Sequence, residues 1–177
     1  MRIEQIMRHD PTRVGPDEPV ENLIGWYANP GNRSRYSYVV DERGTLLGVV
    51  TMMELLGLFL PPDLVAEQED GRLDETQAVD RLMTNLQVGR GTPVRKIMRQ
   101  DLPTVRPGDF FLSARLLLKE RKITALPVVD FSGALVGEVT RRTLLRLLDM
   151  ALREPALFSL KKDSKSLFGS SSEFFIG

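Results

Sequence analysis

The side chains able to do chemistry gather at two short stretches, Thr51-Met52-Met53-Glu54 and Thr140-Arg141-Arg142-Thr143. Each sets a threonine just before a helical pattern, where its hydroxyl can accept a hydrogen bond from a first-turn amide. In Thr51-x-x-Glu54 the carboxylate can also reach back to the threonine amide, completing a capping box. In the second stretch Arg141 and Arg142 fall in a first helical turn, where the macrodipole disfavours cations. A polyphosphate docked at that helix start resolves the conflict, since local misfits tend to fall at sites. Two solvated arginines are the competing reading, and both stay open. This is chemistry for holding an anion or a hydroxyl group.

Bond-breaking chemistry has little to work with. The single histidine, His9, lies in Met7-Arg8-His9-Asp10-Pro11, which reads as an exposed loop. There is no Cys, so disulfides, thiolate zinc sites and cysteine nucleophiles are excluded. Gly89-Arg90-Gly91 lacks the third glycine and the strand-to-helix setting of a dinucleotide motif, and reads as a loop. No cluster has metal-ligand spacing, so an enzyme is not expected and no cofactor is required. Lys+Arg and Asp+Glu are 24 each, which gives no general attraction to nucleic acid or anionic lipid. The longest mostly apolar run, Leu55 to Leu60, is too short to span a bilayer. The opening Met1-Arg2-Ile3-Glu4 shows no signal-peptide pattern, so the expected location is cytoplasmic.

The elements that position the two stretches come from an internal repeat. Ile6-Met7-Arg8-x-Asp10 recurs as Ile97-Met98-Arg99-x-Asp101, and Val14-x-Pro16 as Val105-x-Pro107, both at an offset of 91. Val39-Val40-Asp41-x-x-Gly44 recurs as Val128-Val129-Asp130-x-x-Gly133, now at an offset of 89. That offset also pairs Leu47-Gly48-x-Val50-Thr51 with Val136-Gly137-x-Val139-Thr140, and Leu55-Leu56 with Leu144-Leu145. The first copy carries two extra residues near Asn29-Pro30-Gly31-Asn32.

Both copies predict one order of elements. An extended segment ends at Pro16 or Pro107. A helix follows, with Val20, Leu23, Ile24 and Tyr27 on one face in copy one. In copy two Asp109 is the expected N-cap, and Phe111, Ala114 and Leu118 line the face. Strands are expected over Tyr36–Asp41 and Leu46–Thr51, then Leu126–Asp130 and Leu135–Thr140, with Asp and Gly in the hairpin turns. Closing helices span Met52–Leu60 and Arg141–Arg153, stopped before Pro61 and Pro155. The fold class is therefore α+β, a mixed α/β arrangement of tandem β-α-β-β-α repeats. Each unit is too small to bury a good core alone, so the two should pack about a pseudo-two-fold axis.

The ordered motifs Ile97-Met98, Thr104-Val105-x-Pro107, Leu126-Pro127-Val128-Val129-Asp130-x-x-Gly133 and Val136-Gly137-Glu138-Val139-Thr140 resemble the CBS (cystathionine β-synthase-type) domain. Copy one is similar but worn, with Arg13 in place of Thr104 and Tyr38 in place of Pro127. The resemblance covers about 110 of the 177 residues. It implies a pair of domains, residues 1–60 and 93–154, joined by a linker at 61–92 and followed by a tail at 155–177. It also implies a cleft between copies that takes AMP, ADP, ATP or an S-adenosyl compound as a regulatory ligand. The base would lie on the strand at Ile123-Thr124-Ala125-Leu126-Pro127, and ribose and phosphate on a Gly-x-x-Thr-x-x-Asp element, with Thr104 nearby.

That element is altered in both copies. Copy one has Glu54 at the Asp position, open to a capping role, a ribose contact, or both in turn. Copy two has Thr143, which can make one ribose hydrogen bond but cannot accept two hydroxyls as a carboxylate does. Tyr36 or Tyr38 can stack on a base in the first cleft, or fill the space that a missing proline leaves. Copy two, with Thr140, Arg142 and Thr143, is the preferred site, and Thr51 and Glu54 mark the second. In the linker, the acidic run from Asp63 to Glu75 reads as a solvated loop. Val79, Leu82, Met83 and Leu86 then read as a short amphipathic helix over the pair. The tail, Lys161 to Gly177, is Ser/Lys-rich and reads as mobile; its terminal Phe174-Phe175-Ile176 can instead dock on a neighbouring subunit or an effector protein. The resemblance further implies a homodimer. The expected function is a non-catalytic regulatory module for an adenosine nucleotide; a structural dimerisation module with empty sites is the alternative.

Overall fold

The structure is a computed structural model and describes residues 1–32, 34–60 and 62–155. The tail, with both readings of its Phe174-Phe175-Ile176 end, lies outside these residues. The repeat governs the architecture. Copy one runs β1 (Arg13–Val14), α1 (Val20–Ala28), β2 (Ser37–Val40), β3 (Leu46–Val50) and α2 (Met52–Phe59). Two linker helices follow, α3 (Pro62–Glu69) and α4 (Glu75–Gly89). Copy two runs α5 (Phe111–Glu120), β4 (Ala125–Val129), β5 (Leu135–Thr140) and α6 (Arg141–Arg153).

In copy one β1 pairs parallel to β2, and β2 antiparallel to β3. Copy two repeats this with β4 antiparallel to β5, and Val105 bridges Val128 in parallel where β1 would lie. Both hairpins turn on an aspartate. Asp41 Oδ1 accepts from the amides of Arg43 and Thr45, and Asp130 Oδ1 from those of Ser132 and Ala134. Gly44 and Gly133 then take φ of 81° and 86°, a region that suits residues without a Cβ.

Contacts between the copies come in mates related by the repeat. Leu46 N–H donates to Gly133 O at 3.1 Å, and Leu135 N–H to Gly44 O at 2.9 Å. Arg8 exchanges both backbone bonds with Glu138, and Arg99 does the same with Val49. Ile3 N–H reaches Asp109 O, while Val94 N–H reaches Glu18 O. These reciprocal bonds establish the pseudo-two-fold axis.

They also show an exchange. Ile3 packs with Val105, Ala114, Leu118, Leu126, Val128 and Val139, so the chain's first segment completes the core of copy two. Val94 in turn packs with Val20, Leu23, Val39, Val50, Leu55 and Phe59 of copy one. Each core thus borrows an aliphatic side chain from the segment preceding the other copy. Full burial of such a side chain contributes about 1.5–3 kcal/mol. A third cluster, Tyr38, Val49 and Leu135, sits between the two sheets.

Three expectations change. Asp109 does not cap α5; the N-cap is Phe110, and the Asp109 carboxylate closes its own turn by accepting from Arg106 N–H. The acidic linker is a loop only in part: Asp63, Glu67 and Glu69 lie on α3, while Asp70 and Asp74 stay in the exposed connection to α4. Asp63 and Glu67 lie one turn apart on α3 and both pair with Arg81 of α4, which draws the acidic face onto a partner. The amphipathic helix is longer than expected and packs on the core of copy one through Leu82 and Leu86, while Val79 and Met83 stay exposed. Gly89 is its last residue, and a Cβ there would meet Phe59 Cε1 at 2.9 Å.

Candidate functional site

The strand β5 and helix α6 meet at Thr140, whose extended backbone turns the chain into the helix. Its Oγ1 accepts from Thr143 N–H at 3.1 Å, and Thr143 Oγ1 accepts from Thr140 N–H at 3.2 Å. This reciprocal cap fixes the helix start at the edge of a cavity of about 760 Å³. Such a volume lies within the range of small-molecule sites, about 300–1,000 Å³.

One wall is the strand side, Thr124 and Ala125, together with Tyr36 reaching over from copy one. The Tyr36 hydroxyl lies 2.9 Å from Thr124 Oγ1 and accepts from Thr124 N–H at 3.2 Å, which ties the two copies at the wall. The opposite wall is α6, with Arg141, Arg142, Thr143, Arg146 and Leu147. The chain's first segment closes the third side with Gln5, Ile6, Met7 and Arg8, and Arg35 stands at the rim. A smaller cavity of about 370 Å³, with Arg35 and Arg142 in its lining too, adjoins it beside Tyr27 and Met52.

The copy-two residues chosen from sequence divide cleanly. Thr124, Ala125, Thr140, Arg142 and Thr143 converge on the larger cavity, joined by Tyr36. Leu126 and Pro127 are fully buried, so they support the wall from behind. Ile123 packs against the copy-two core, and Thr104 is exposed away from the cavity lining. Tyr38 must be corrected. It is 0% exposed, its ring stacks beside Tyr36 with centroids 6.4 Å apart, and its hydroxyl donates to Glu138 Oε2 at 2.9 Å. It fills interior space between the sheets and offers no face to a base.

In copy one, Thr51 caps α2 by accepting from Met53 N–H at 3.2 Å. Glu54 is committed at both oxygens. Oε2 accepts from Thr51 N–H and Oγ1, and Oε1 pairs with Arg99 Nε at 2.9 Å. The capping role is the one the geometry displays; a ribose contact would require releasing these bonds.

One site residue was missed from sequence. Glu138 is 4% exposed at the back of the larger cavity, held by Tyr38 and by Arg8 at 3.4 Å. Burial pushes its carboxyl above the usual range, against the opposing pull of Arg8 and Tyr38. Two signals were available: a charge inside the apolar strand Leu135–Thr140, and Val49 at the equivalent place in copy one. The Tyr38 hydroxyl is pushed up too, by desolvation first and by Glu138 second. His9 is exposed, and the described residues hold no metal-ligating cluster and no helix long and apolar enough to cross a membrane.

Known proteins share this plan. The chain is 30% identical over 158 residues to the uncharacterised protein MJ1426 of Methanocaldococcus jannaschii, covering 84% of this chain and 91% of that one. The solved cytosolic domain of the Mg2+ channel MgtE in complex with ATP is 27% identical with a TM-score of 0.56. The match covers 80% of this chain and 46% of that one. The structure of CBSX2 in complex with AMP shares the fold at a TM-score of 0.60 and 23% identity, covering 90% of this chain and 98% of that one. Residues 3–60 and 94–149 each match the CBS domain, so the chain belongs to the CBS domain family as a tandem pair.

Proposed function

We propose that this chain is a non-catalytic regulatory module that binds an adenosine nucleotide or S-adenosyl compound in its copy-two cavity. The observation that carries the reading is the convergence of Tyr36, Thr124, Ala125, Thr140, Arg142 and Thr143 on one concave space between the copies. Adenine would lie along the Tyr36 and Ala125 wall, and the phosphate-bearing end at the start of α6. There the helix dipole and the α6 arginines favour an anion; the amides of Arg141 and Thr143 are already bonded to Thr124 O and Thr140 Oγ1. Similar CBS pairs solved with AMP and with S-adenosyl-L-methionine support an adenosine ligand.

A second reading has its own observation. Met53 and Leu56 of α2, and Leu145, Leu148 and Leu152 of α6, are exposed apolar residues on the two closing helices. A homodimer through these faces would cover them, and an effector protein would read the shape of that dimer. In this reading the clefts stay empty and the chain serves as an assembly module.

Thermal shift with ATP, ADP, AMP, NAD and S-adenosylmethionine, confirmed by calorimetry, separates the readings. A ligand at 100 times its Kd adds about 2.7 kcal/mol, a shift of several degrees at this size. Replacing Thr140 and Arg142 with alanine should abolish most of that shift. Silence from all five compounds at millimolar concentration, with a concentration-dependent dimer by ultracentrifugation, overturns the ligand reading in favour of assembly.

A further inference from the structure

We propose that the copy-two cavity selects its ligand by negative charge, taking adenosine polyphosphates ahead of AMP and excluding S-adenosylmethionine. This rests on the reading that the cavity holds an adenosine ligand, and narrows that ligand to a polyphosphate.

Five arginines reach the cavity from three separate parts of the chain: Arg8, Arg35, and Arg141, Arg142 and Arg146 of α6. Against them stands one lining carboxylate, Glu138, already held by Arg8 and Tyr38. Arg35, Arg141, Arg142 and Arg146 form no ion pair with any carboxylate among the described residues.

Folding does not ask for this charge. Arg141 and Arg142 oppose the helix dipole, and Arg142 and Arg146 are like charges one turn apart on the same face. The repeat supplies a control within the molecule. At the equivalent places of α2 stand Met52, Met53 and Gly57, and that helix folds on the same scaffold. Arg141, Arg142 and Arg146 are therefore particular to α6, and a cleft lined mostly by one sign of charge concentrates the opposite sign.

The sugar offers little to select on. Thr143 supplies one hydroxyl where paired acceptance of two ribose hydroxyls needs a carboxylate, and its Oγ1 is already bonded to Thr140. Glu138 sets the polarity. A buried carboxylate at the back repels phosphate, which leaves that end for the neutral nucleoside and the α6 arginines for the phosphates. S-adenosylmethionine, with a sulfonium cation and an ammonium group, would bring positive charge to that rim.

The test is calorimetry on the full chain with ATP, ADP, AMP, S-adenosylmethionine and inorganic tripolyphosphate, without magnesium, at low and high salt. The expected result is affinity rising about 10-fold or more from AMP to ATP, the scale of one added charged hydrogen bond. Added salt should weaken ATP more than AMP, and tripolyphosphate should compete with ATP. The variant Arg142→Met with Arg146→Ala, which moves copy two towards copy one, should flatten the ranking. Equal affinity for AMP and ATP, with tripolyphosphate silent, overturns the charge selection and leaves the adenosine reading standing. Equal affinity for tripolyphosphate and ATP supports charge selection and overturns the adenosine reading. No binding by any of the five overturns both.

Discussion

At the start of α2 stand Thr51, Met52, Met53 and Glu54; at the start of α6, on the same scaffold, stand Thr140, Arg141, Arg142 and Thr143. Equivalent arginines approach both places, Arg99 in the first case and Arg8 in the second. Arg99 pairs with Glu54, the carboxylate that also caps its helix. Arg8 finds no carboxylate at the helix start and pairs with Glu138, on the strand behind it. Each copy keeps one such arginine–carboxylate pair, but the placement of the pair differs. In copy one the acid neutralises the helix start and leaves it self-sufficient. In copy two the acid retreats to the back wall, and the helix start is left cationic.

The symmetry underneath this difference can be broken first, and with the largest effect. Gly48 and Gly137 each face the other copy's first segment at the backbone bridge. A Cβ on Gly48 would lie 2.7 Å from Arg99 O, and one on Gly137 would lie 2.9 Å from Arg8 O and 2.7 Å from Met7 Sδ. Alanine at either place should cost about 3 kcal/mol, at the upper end of ordinary overpacking because backbone must move. Urea denaturation reads both, and similar losses are expected. A variant without loss would show that the two copies are not held by mated bridges.

Next, the arginine pairs can be set against each other. Arg8→Met leaves Glu138 almost fully buried with only the Tyr38 hydroxyl, whereas Arg99→Met leaves Glu54 still bonded to Thr51. Removing one partner of a fully buried pair costs about 3–5 kcal/mol. Arg8 is 44% exposed, so solvent screening reduces this. The expected loss is about 2 kcal/mol for Arg8→Met and about 1 kcal/mol for Arg99→Met. Equal losses would mean that Glu138 is no more dependent on its arginine than Glu54.

The sequence reading reached unevenly into this picture, for physical reasons. Hydrophobic periodicity and the Asp-Gly turns are local signals, and they located the helices and strands of both copies closely; α6 begins and ends where expected. The cluster at Thr140 to Thr143 was equally legible, because a capping threonine beside misplaced arginines is a local conflict. What escaped was tertiary. The exchange of Ile3 and Val94 between cores leaves no mark on either segment. Tyr38 carries an aromatic ring, but only the packing of two sheets shows that the ring is enclosed. The acidic linker hid α3 because its helical face is satisfied by Arg81, more than ten residues further along the chain.

The smallest and most selective prediction concerns Glu138, since Val49 at the mated position cannot titrate. Burial raises its carboxyl above the ordinary value of 4.5 in the folded protein. The native state therefore binds this proton more tightly than the unfolded chain, and stability declines as pH rises from about the unfolded value through the raised one. Glu138→Gln keeps the shape and removes the titration. The free-energy difference between variant and wild type should move in favour of glutamine with rising pH across that window, then level off. Chemical denaturation at a series of pH values measures it. A wild-type profile parallel to that of Glu138→Gln would mean that burial does not disfavour the Glu138 charge, which removes the asymmetry. Divergent profiles would show that the back wall of the copy-two cavity holds its charge at a cost, which an incoming cationic group would relieve and an incoming phosphate would increase.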